Sequence, residues 1–310
     1  MKRRELIKTG GLALMGLGTG TAVNAMASTN ENKLPITKRF ENKVVVVTGA
    51  TSGIGKATAI AFALEGAKVA FLGRREKLGK EVETQIRNAG GEATFVQTDI
   101  RNEEEVIRFF QLVKEKYGNV HIAFNNAGIV FGLDNLKGNK PIAEIKTEAF
   151  DDVWKTNTRG TFISMKNEIP QMLANEAWGR YGLKGVIINN SSVSAHGGFA
   201  GISPYSVSKH GVSGLTKGGA LDYGKNGIRV VAISPGGVDT PMRRAAIEAQ
   251  GANPDEAQAP NIQHRTNTVE EMADIVLFLA SADAPSSIQG IDLDVTMGML
   301  TGPFAPPKLQ

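Results

Sequence analysis

The sequence predicts an α/β fold, in which a single doubly wound parallel sheet carries helices on both faces. From Val44 onward, short apolar segments rich in Val and Ile alternate with longer segments of helical periodicity. Strands this apolar are typical of a parallel sheet that is buried on both faces. The 36 glycines and the low aromatic content of 6% favour many tight strand-to-helix turns over an aromatic-rich β-sandwich.

The elements of this sheet can be placed along the chain. Strands are predicted at Val44 to Val47, Val69 to Leu72, Ala93 to Val96, Ile122 to Phe124, Val186 to Ile188, Val230 to Ile233 and Ile291 to Val295. Helices are predicted at Ile54 to Leu64, Leu78 to Ala89, Glu104 to Tyr117, Phe150 to Leu173, Tyr205 to Tyr223 and Val269 to Leu279. Because crossovers between parallel strands are right-handed, these helices cover both faces of the sheet.

Length and composition allow one domain and exclude several kinds of chemistry. A chain of 310 residues with 41% hydrophobic residues can bury a large core as one unit. It contains no cysteine, which excludes disulfides, thiolate catalysis and cysteine-ligated zinc. The formal charge is +4, of which Lys2, Arg3, Arg4 and Lys8 against Glu5 place +3 in the first 27 residues. The remaining body is too close to neutral for phosphate-backbone binding, so nucleic acid is not an expected partner.

The first 27 residues have the pattern of an export signal. Lys2 to Lys8 is charged and contains paired arginines, Thr9 to Val23 is weakly apolar, and Ala25 to Ala27 offers small residues to a signal peptidase. The segment resembles a bacterial twin-arginine signal, which implies a periplasmic protein that meets the membrane only during export. The alternatives are an uncleaved membrane anchor and a cytoplasmic tail. Residues 28–39 are predicted to be a linker.

A glycine-rich turn joins the first predicted strand to the first helix. Its sequence is Thr48-Gly49-Ala50-Thr51-Ser52-Gly53-Ile54-Gly55. Glycines allow a tight turn and a close approach of backbone to a pyrophosphate, and the helix N-terminus can hold the anion. The position of the turn favours a dinucleotide-binding sheet of the Rossmann type over a turn that binds nothing.

Further motifs follow in a recognisable order. The turn has the spacing Gly-x-x-x-Gly-x-Gly, Asn125 to Gly128 follows the fourth strand, Asn157 lies inside a long helix, and Pro235-Gly236 follows the sixth strand. Over about Phe40 to Gly298 the chain resembles the short-chain dehydrogenase/reductase family. The resemblance implies that residues 40–310 form an NAD(P)-dependent oxidoreductase domain. It also implies dimers or tetramers built through the two long helices.

Ser192, Tyr205 and Lys209 are the candidate catalytic group, with Asn157 as the fourth member that the resemblance implies. Lys209 lies four residues after Tyr205, which places phenol and ammonium on one helix face. Hydride transfer to a carbonyl leaves an alkoxide, so the site must supply a proton and stabilise developing charge. A nearby ammonium lowers the pKa of a tyrosine, ordinarily about 10. Tyr205 is therefore expected to be the general acid/base, and Ser192 to donate to the substrate oxygen.

The end of the second strand bears on which dinucleotide is bound. An acidic residue there would bind the ribose hydroxyls of NAD, but the strand ends in Leu72-Gly73-Arg74-Arg75. Arg74 and Arg75 can hold a 2′-phosphate by charged hydrogen bonds, so NADP is favoured over NAD. The alternative is that both arginines only cover a helix end in solvent.

The resemblance implies the remaining cofactor contacts. They are Gly49, Thr51, Ser52, Gly53, Ile54 and Gly55 in the turn, Asp99 and Ile100 beside the adenine, Asn126, Ala127 and Gly128 at the inner ribose, Pro235, Gly236, Val238 and Thr240 near the nicotinamide, and Tyr205 and Lys209. His196 and His210 are interpreted as structural, or His196 as substrate-facing. No histidine or carboxylate cluster has metal-binding spacing, so no metal is expected.

Substrate choice is expected to depend on Ala195 to Ser203 and on a mobile lid at about 240–268. The first segment is open and mildly apolar, which favours a neutral secondary alcohol or ketone as the small-molecule partner. Phe131 to Lys140 can rim the pocket, whereas Glu176 to Leu183 is expected to be a surface loop away from it. Two alternatives stay open, namely a non-catalytic dinucleotide-binding protein and an oxidoreductase whose cofactor does not exchange.

Overall fold

In the computed structural model, the described residues are 38–130, 140–257 and 259–302. They fall within one compact unit, Ile36–Gln310. The predicted signal, the predicted linker up to residue 37 and the predicted rim at 131–139 lie outside the described residues. Within the described ranges, no helix is long and apolar enough to cross a membrane.

Seven strands form one parallel sheet, which confirms the predicted fold class. The strands are β1 Val44–Thr48, β2 Lys68–Gly73, β3 Glu92–Gln97, β4 Ile122–Asn125, β5 Gly185–Asn190, β6 Ile228–Pro235 and β7 Asp292–Val295. Their order across the sheet is β3-β2-β1-β4-β5-β6-β7, and each neighbouring pair is parallel. The order reverses direction next to β1, so the carboxyl ends of β1 and β4 flank a crevice of the kind that holds dinucleotides.

Helices cover both faces of the sheet. They are α1 Gly53–Leu64, α2 Glu76–Asn88, α3 Glu103–Tyr117, α4 Thr147–Trp154, α5 Gly160–Leu173, α6 Ser203–Tyr223, α7 Pro241–Glu248 and α8 Val269–Ala280. The buried residues of α1, α2 and α8 form one apolar core, and those of α3, α5 and α6 form another. These two cores lie on opposite faces of the sheet.

Strand β1 shows why the strands are apolar without interruption. Val45 and Val47 enter the first core, and Val44 and Val46 enter the second. Because successive side chains of a strand point to opposite faces, a strand between two helix layers needs an apolar residue at every position. All five residues of β1 are buried.

The helix predicted at Phe150 to Leu173 is wrong in its internal geometry. It begins at Thr147 and is interrupted by a π-helical turn, Lys155–Arg159, between α4 and α5. The turn contains no apolar residue, so hydrophobic periodicity gave no sign of the change in pitch. Single π turns inside α-helices are frequent at functional sites.

The predicted lid at 240–268 contains a helix that the sequence analysis did not place. Thr240 caps α7 by accepting a hydrogen bond from the Arg243 amide at 3.2 Å, and a proline occupies its first turn. A threonine followed by proline is a known helix start signal, so the start of α7 could have been predicted from the sequence.

The segment Glu176 to Leu183 lies at the amino ends of the strands. Trp178 pairs with Leu183, and the Lys43 Nζ lies 4.4 Å from the centre of the Trp178 ring. Lys43 directly precedes β1. The segment therefore packs at the amino ends of the strands, as expected.

Candidate active site

A cavity of about 910 Å³ lies at the carboxyl ends of the strands. Its wall contains Gly49 after β1, Gly73 at the end of β2, Asn126 after β4, Ser192 after β5 and Pro235 at the end of β6. Because the strands are parallel, the loops that follow them meet at this one edge. The fold thus brings chain segments far apart in sequence into one site.

Most of the predicted site residues line this cavity. They are Gly49, Thr51, Ser52, Gly53, Ile54, Arg74, Arg75, Ile100, Asn126, Ala127, Gly128, Ser192, Tyr205, Lys209, Pro235, Gly236, Val238 and Thr240. Three predicted residues, Gly55, Asp99 and Asn157, are not in the wall. Gly55, Asp99 and Asn157 instead contact neighbouring protein groups.

The glycines of the turn are required by neighbouring protein as much as by a ligand. Gly49 has φ +67°, and a Cβ added there would lie 2.7 Å from the Ala127 Cα. A Cβ on Gly55 would lie 2.5 Å from the Asn126 Nδ2 and 2.7 Å from the Gly49 carbonyl oxygen. The turn therefore presses against the loop after β4, and Gly55 supports the cavity from behind its wall.

The amino end of α1 is open to an anion. Ser52 is the N-cap residue, but its side chain does not cap the helix. Its hydroxyl instead accepts a hydrogen bond of 2.7 Å from the Arg75 Nη2. Amides of the first helical turn bind anions when no side chain satisfies them, and the helix dipole adds to this. The 12-residue helix and its turn therefore fit the pyrophosphate of a dinucleotide.

Arg75 is tied to the turn, whereas Arg74 is not. The Arg75 Nη2 donates to the Thr51 Oγ1 at 2.7 Å, and its Nε donates to the same oxygen at 3.1 Å. Arg74 is exposed, and its backbone carbonyl accepts a hydrogen bond of 3.1 Å from the side-chain Nε2 of Gln97. Arg75 thus places a guanidinium directly beside the glycine-rich turn.

Ser192, Tyr205 and Lys209 come together at the inner end of the cavity. Ser192 follows β5, and its hydroxyl accepts from the Ser194 amide at 3.1 Å and shares a hydrogen bond with the Tyr205 phenol. Lys209 is almost fully buried one turn further along α6, and its Nζ lies 5.5 Å from the centre of the Tyr205 ring. The Lys209 Nζ donates to the Asn190 carbonyl at 2.6 Å.

The pKa of the Tyr205 phenol is raised, so burial outweighs the lowering that is expected from Lys209. Burial raises the pKa of the Tyr205 phenol, and the hydrogen bond with Ser192 opposes this only in part. Burial also lowers the pKa of Lys209 to about 8, against the opposing charge of Asp292. The reason lies in the geometry, since the ammonium points at the Asn190 carbonyl and lies over the ring of Tyr205.

Asn157 lies behind the cavity on the π-helical turn. Its Oδ1 accepts from the Ile129 amide at 2.8 Å, and its Nδ2 donates to the Ile129 carbonyl and the Ser208 Oγ, both at 2.9 Å. Both its Oδ1 and the Lys209 Nζ lie close to Gly128. Asn157 therefore joins the loop after β4 to α6 and keeps that loop beside Lys209.

Asp99 is not among the residues of the cavity wall, although Ile100 is. The Asp99 carboxylate accepts from the Arg101 Nε at 3.0 Å and from the Arg101 Nη2 at 2.6 Å. This pairing lowers the pKa of Asp99 against the effect of burial. The adenine contact that the resemblance implies for Asp99 stays a prediction.

Apolar residues form part of the cavity wall. Phe199 and Ile202 lie in the predicted segment Ala195 to Ser203, and Met242, Ile247 and Pro260 lie in the predicted lid. Arg243 also lines the cavity and donates to the Ala257 carbonyl at 3.0 Å. Sequence reasoning did not single out Ile129, Val130 or Met299, because no motif marks these positions. In the part of the chain that the structure describes, no group of three His, Asp or Glu residues could hold a metal.

The fold and the site define a dinucleotide-dependent oxidoreductase. A family model described as short chain dehydrogenase matches residues 43–251. The chain belongs to this family. It transfers a hydride between a nicotinamide cofactor and a small-molecule alcohol or carbonyl substrate.

Named relatives agree with this activity. A 3beta-hydroxysteroid dehydrogenase of Mediterraneibacter gnavus is 37% identical over 79% of this chain and 91% of its own length. A cyclohexanol dehydrogenase of Acinetobacter sp. is 34% identical over 80% of this chain and 92% of its own length. A crystal structure of an actinorhodin polyketide ketoreductase variant with NADPH has a TM-score of 0.73 and 32% identity, covering 85% of this chain and 98% of the other.

Proposed function

We propose that this protein is an NADP-preferring dehydrogenase or reductase of neutral secondary alcohols and ketones. We further propose that it is exported by the twin-arginine route and acts as a homo-oligomer. The observation that carries the cofactor preference is the position of Arg75, whose guanidinium donates to both Thr51 and Ser52 in the glycine-rich turn. A guanidinium with free donors beside this turn favours a doubly charged 2′-phosphate over a ribose hydroxyl.

The cofactor preference is tested by replacing Arg75 with Ala. We expect kcat/KM for NADP to fall about 10- to 100-fold, as for the loss of one charged hydrogen-bonding group, and kcat/KM for NAD to change less than threefold. Arg87→Ala is the matched control, because Arg87 is also on α2 but bonds only to Glu83 and the Ala93 carbonyl. An equal loss with both cofactors would refute the preference while leaving the oxidoreductase intact.

The roles of the catalytic residues follow from their contacts. When bound, the nicotinamide donates or accepts the hydride. Tyr205 carries the proton to or from the substrate oxygen, and Ser192, already hydrogen-bonded to the phenol, holds that oxygen beside it. Lys209 supplies a positive charge that offsets the negative charge of phenolate or alkoxide. Because burial raises the pKa of Tyr205, the protein groups alone keep it as the acid that carbonyl reduction requires.

The substrate class is supported by the apolar outer wall of the cavity. Phe199, Ile202, Met242 and Met299 present hydrocarbon and sulfur surface to the ligand, which suits a bulky apolar skeleton with one oxygen at the reacting carbon. Two relatives are named for a hydroxysteroid and for cyclohexanol. A panel of cyclic and linear ketones, followed at the absorbance of the reduced nicotinamide, should give its highest kcat/KM with cyclic apolar ketones. A preference for short linear or charged ketones would contradict the assignment.

The possibility of a cofactor that does not exchange has its own test. Rapid exchange after dilution of the loaded protein supports an ordinary dehydrogenase, which is our proposal. If the cofactor leaves the protein more slowly than one substrate is turned over, the cofactor is instead resident and a second substrate regenerates it.

The oligomer proposal is supported by apolar side chains on the surface of the long helices. Phe150 is 37% exposed, Trp154 39%, Phe162 50% and Val207 44%. Pairing of these helices would cover side chains that are costly to leave in water. Light scattering at micromolar concentration should give a multiple of the monomer mass, and a monomeric mass would refute this proposal.

The export proposal is supported by the paired arginines and the apolar segment after them. Fractionation of cells that express the full chain should find it in the periplasm. Replacement of Arg3 and Arg4 together by Lys should keep it in the cytoplasm, because twin-arginine recognition reads that pair. Cytoplasmic location of the unchanged protein would contradict export.

A further inference from the structure

A buried acidic residue lies behind the catalytic serine, and the chemistry described above does not use it. Asp292 begins β7, and its side chain is only 5% exposed. A buried carboxylate is costly unless charge and hydrogen bonds compensate it. Its contacts are therefore informative about what it does.

Two serines and one histidine surround the Asp292 carboxylate. The Ser234 hydroxyl donates to its Oδ1 at 2.6 Å, and the Ser213 hydroxyl donates to its Oδ2. The His196 Nε2 lies 3.6 Å from the Oδ2 and 3.0 Å from the Ser234 Oγ. Both carboxylate oxygens thus have partners, which come from β6, from α6 and from the loop between β5 and α6.

Ser234 connects this carboxylate to the catalytic serine. Its Oγ lies 2.9 Å from the Ser192 backbone carbonyl. The single hydroxyl hydrogen is shared between that carbonyl and the Asp292 Oδ1. Loss of Ser234 would remove this contact with the Ser192 backbone, and loss of the carboxylate would change how the Ser234 hydroxyl is oriented toward it.

Ser213 connects the same carboxylate to the helix that carries Lys209. Ser213 lies one turn after Lys209 on α6, and its Oγ is 3.1 Å from the Ser191 Oγ. Ser191 in turn donates to the Lys209 backbone carbonyl at 3.3 Å. The carboxylate therefore ties the end of β5 to the turn of α6 that holds the ammonium.

The charges around these groups are few. Among the described residues, the titratable groups that act on Lys209 are Tyr205, whose ring lies beneath its Nζ, and Asp292, through its charge; the histidine beside Asp292 is His196. Asp292 is the negative charge that raises the pKa of Lys209 against burial. Without it, the buried ammonium would lose its proton at a lower pH.

We propose that Asp292 is a positioning residue of the reaction: its buried carboxylate is linked through Ser234 to the Ser192 backbone, and through Ser213 it places a negative charge one helical turn from Lys209. The inference rests on the roles given above to Ser192, Tyr205 and Lys209. Asp292 touches neither substrate nor cofactor in this account, since it is absent from the cavity wall.

The test compares Asp292→Asn and Asp292→Glu in pH profiles of ketone reduction. Asn keeps the shape of the side chain but removes its charge, so Lys209 should lose its proton at a lower pH. The alkaline limb of the kcat/KM profile should therefore shift by about one pH unit toward lower pH. We expect kcat at pH 7 to fall about tenfold as well, on the scale of misplacing a catalytic group. Glu keeps the charge and should keep the alkaline limb, even if kcat falls.

A structural role alone would lower kcat equally at every pH in both variants. Alkaline limbs of wild type and Asp292→Asn that coincide within 0.2 pH units would therefore overturn the proposal. Wild-type protein that turns over no substrate in the same assay would instead overturn the proposed function.

A second variant decides the case if Asp292→Asn fails to fold. Ser234→Ala keeps the charge but removes the link to Ser192, so kcat should fall about three- to tenfold with the limb unmoved. Ser164→Ala is the matched control, because Ser164 is a fully buried serine on α5 whose hydroxyl has no hydrogen-bond partner among the described residues. Equal kcat values for Ser234→Ala and Ser164→Ala would overturn the proposal.

Discussion

The coenzyme half and the catalytic half of the site are built in different ways. The coenzyme half consists of the glycine-rich turn and the end of β2, where Arg75 reaches Thr51 across 24 residues of chain. The catalytic half consists of the end of β5, α6 and β7, where Ser213 reaches Asp292 across 79 residues and both are buried. The first is held by backbone shape, and the second by polar groups that only the complete sheet brings together.

Because of this difference, substitutions in the two halves should affect the enzyme in different ways. Substitutions in the coenzyme half should act through close backbone contacts and weaken binding. Substitutions in the catalytic half should act through charge and proton position, and should therefore change rate and pH dependence more than binding.

The largest expected effect is on the catalytic side, from Tyr205→Phe. Removal of the phenolic oxygen removes the proton donor, so kcat should fall on the order of 10³-fold, the usual contribution of general acid–base catalysis. The Kd for NADPH should change less than threefold. Tyr223→Phe near the end of the same helix is the control and should retain wild-type kcat. Turnover by Tyr205→Phe above one tenth of wild type would assign the proton transfer to another group.

An intermediate effect is expected on the coenzyme side, from Gly55→Ala. The added Cβ would lie 2.5 Å from the Asn126 Nδ2 and 2.7 Å from the Gly49 carbonyl, so the turn must move. We expect about 1–3 kcal/mol of destabilisation, as for overpacking, and a raised Kd for NADPH, measured by denaturation and by fluorescence titration. Gly218→Ala in α6 is the control, because its Cβ would meet no atom within 4 Å. If both variants bind NADPH as wild type does, the turn is not held as described.

A smaller effect is expected from a second buried acid, which lies outside the two halves of the site. Glu168 on α5 is fully buried, and the Asn125 Nδ2 donates to its Oε2 at 3.2 Å. Among the described residues, nothing hydrogen-bonds its Oε1. Burial raises the pKa of Glu168 to about 8. Asp292 has partners for both oxygens, so the two acids differ in how well the fold compensates them.

The pH dependence of stability follows from this difference. The folded state keeps the Glu168 proton up to a pH of about 8, whereas the unfolded chain loses it near its ordinary pKa of about 4.3. Between these values the unfolded state binds fewer protons, so the free energy of unfolding falls as pH rises through this window.

Glu168→Gln should remove that loss. The variant should exceed wild type by on the order of 1–3 kcal/mol in free energy of unfolding at pH 8.5 and match it near pH 5, as measured by urea denaturation. Glu148→Gln at an exposed position of α4 is the control and should leave the pH dependence unchanged. A Gln variant less stable than wild type at pH 8.5 would show that the carboxylate has a partner there.

The signals that predict the coenzyme half are local in the sequence. The turn, the Arg74-Arg75 pair and the strand before them are contiguous, and glycine positions reflect backbone shape directly. The Ser192, Tyr205 and Lys209 group was also predicted, through helical spacing and family resemblance. The structure brings all of these residues to one cavity wall.

What the sequence did not reveal depends on contacts between distant segments. Asp292 begins β7, and nothing in its sequence neighbours points to Ser192. The π-helical turn at Lys155–Arg159 changes helix pitch without an apolar residue to report it. The orientation of Asp99 toward Arg101 likewise depends on side-chain pairing, which periodicity does not describe.

Hydride transfer assisted by Tyr205 can be followed with an isotope label. Purified protein is given a cyclic ketone and NADPH deuterated at either face of nicotinamide C4, and the product alcohol is examined by mass spectrometry and NMR. We predict one deuterium at the carbinol carbon from one of the two labelled cofactors, and no product above background with Tyr205→Phe. Alcohol formed without deuterium from either cofactor, or label transferred at the wild-type rate by Tyr205→Phe, would contradict the account.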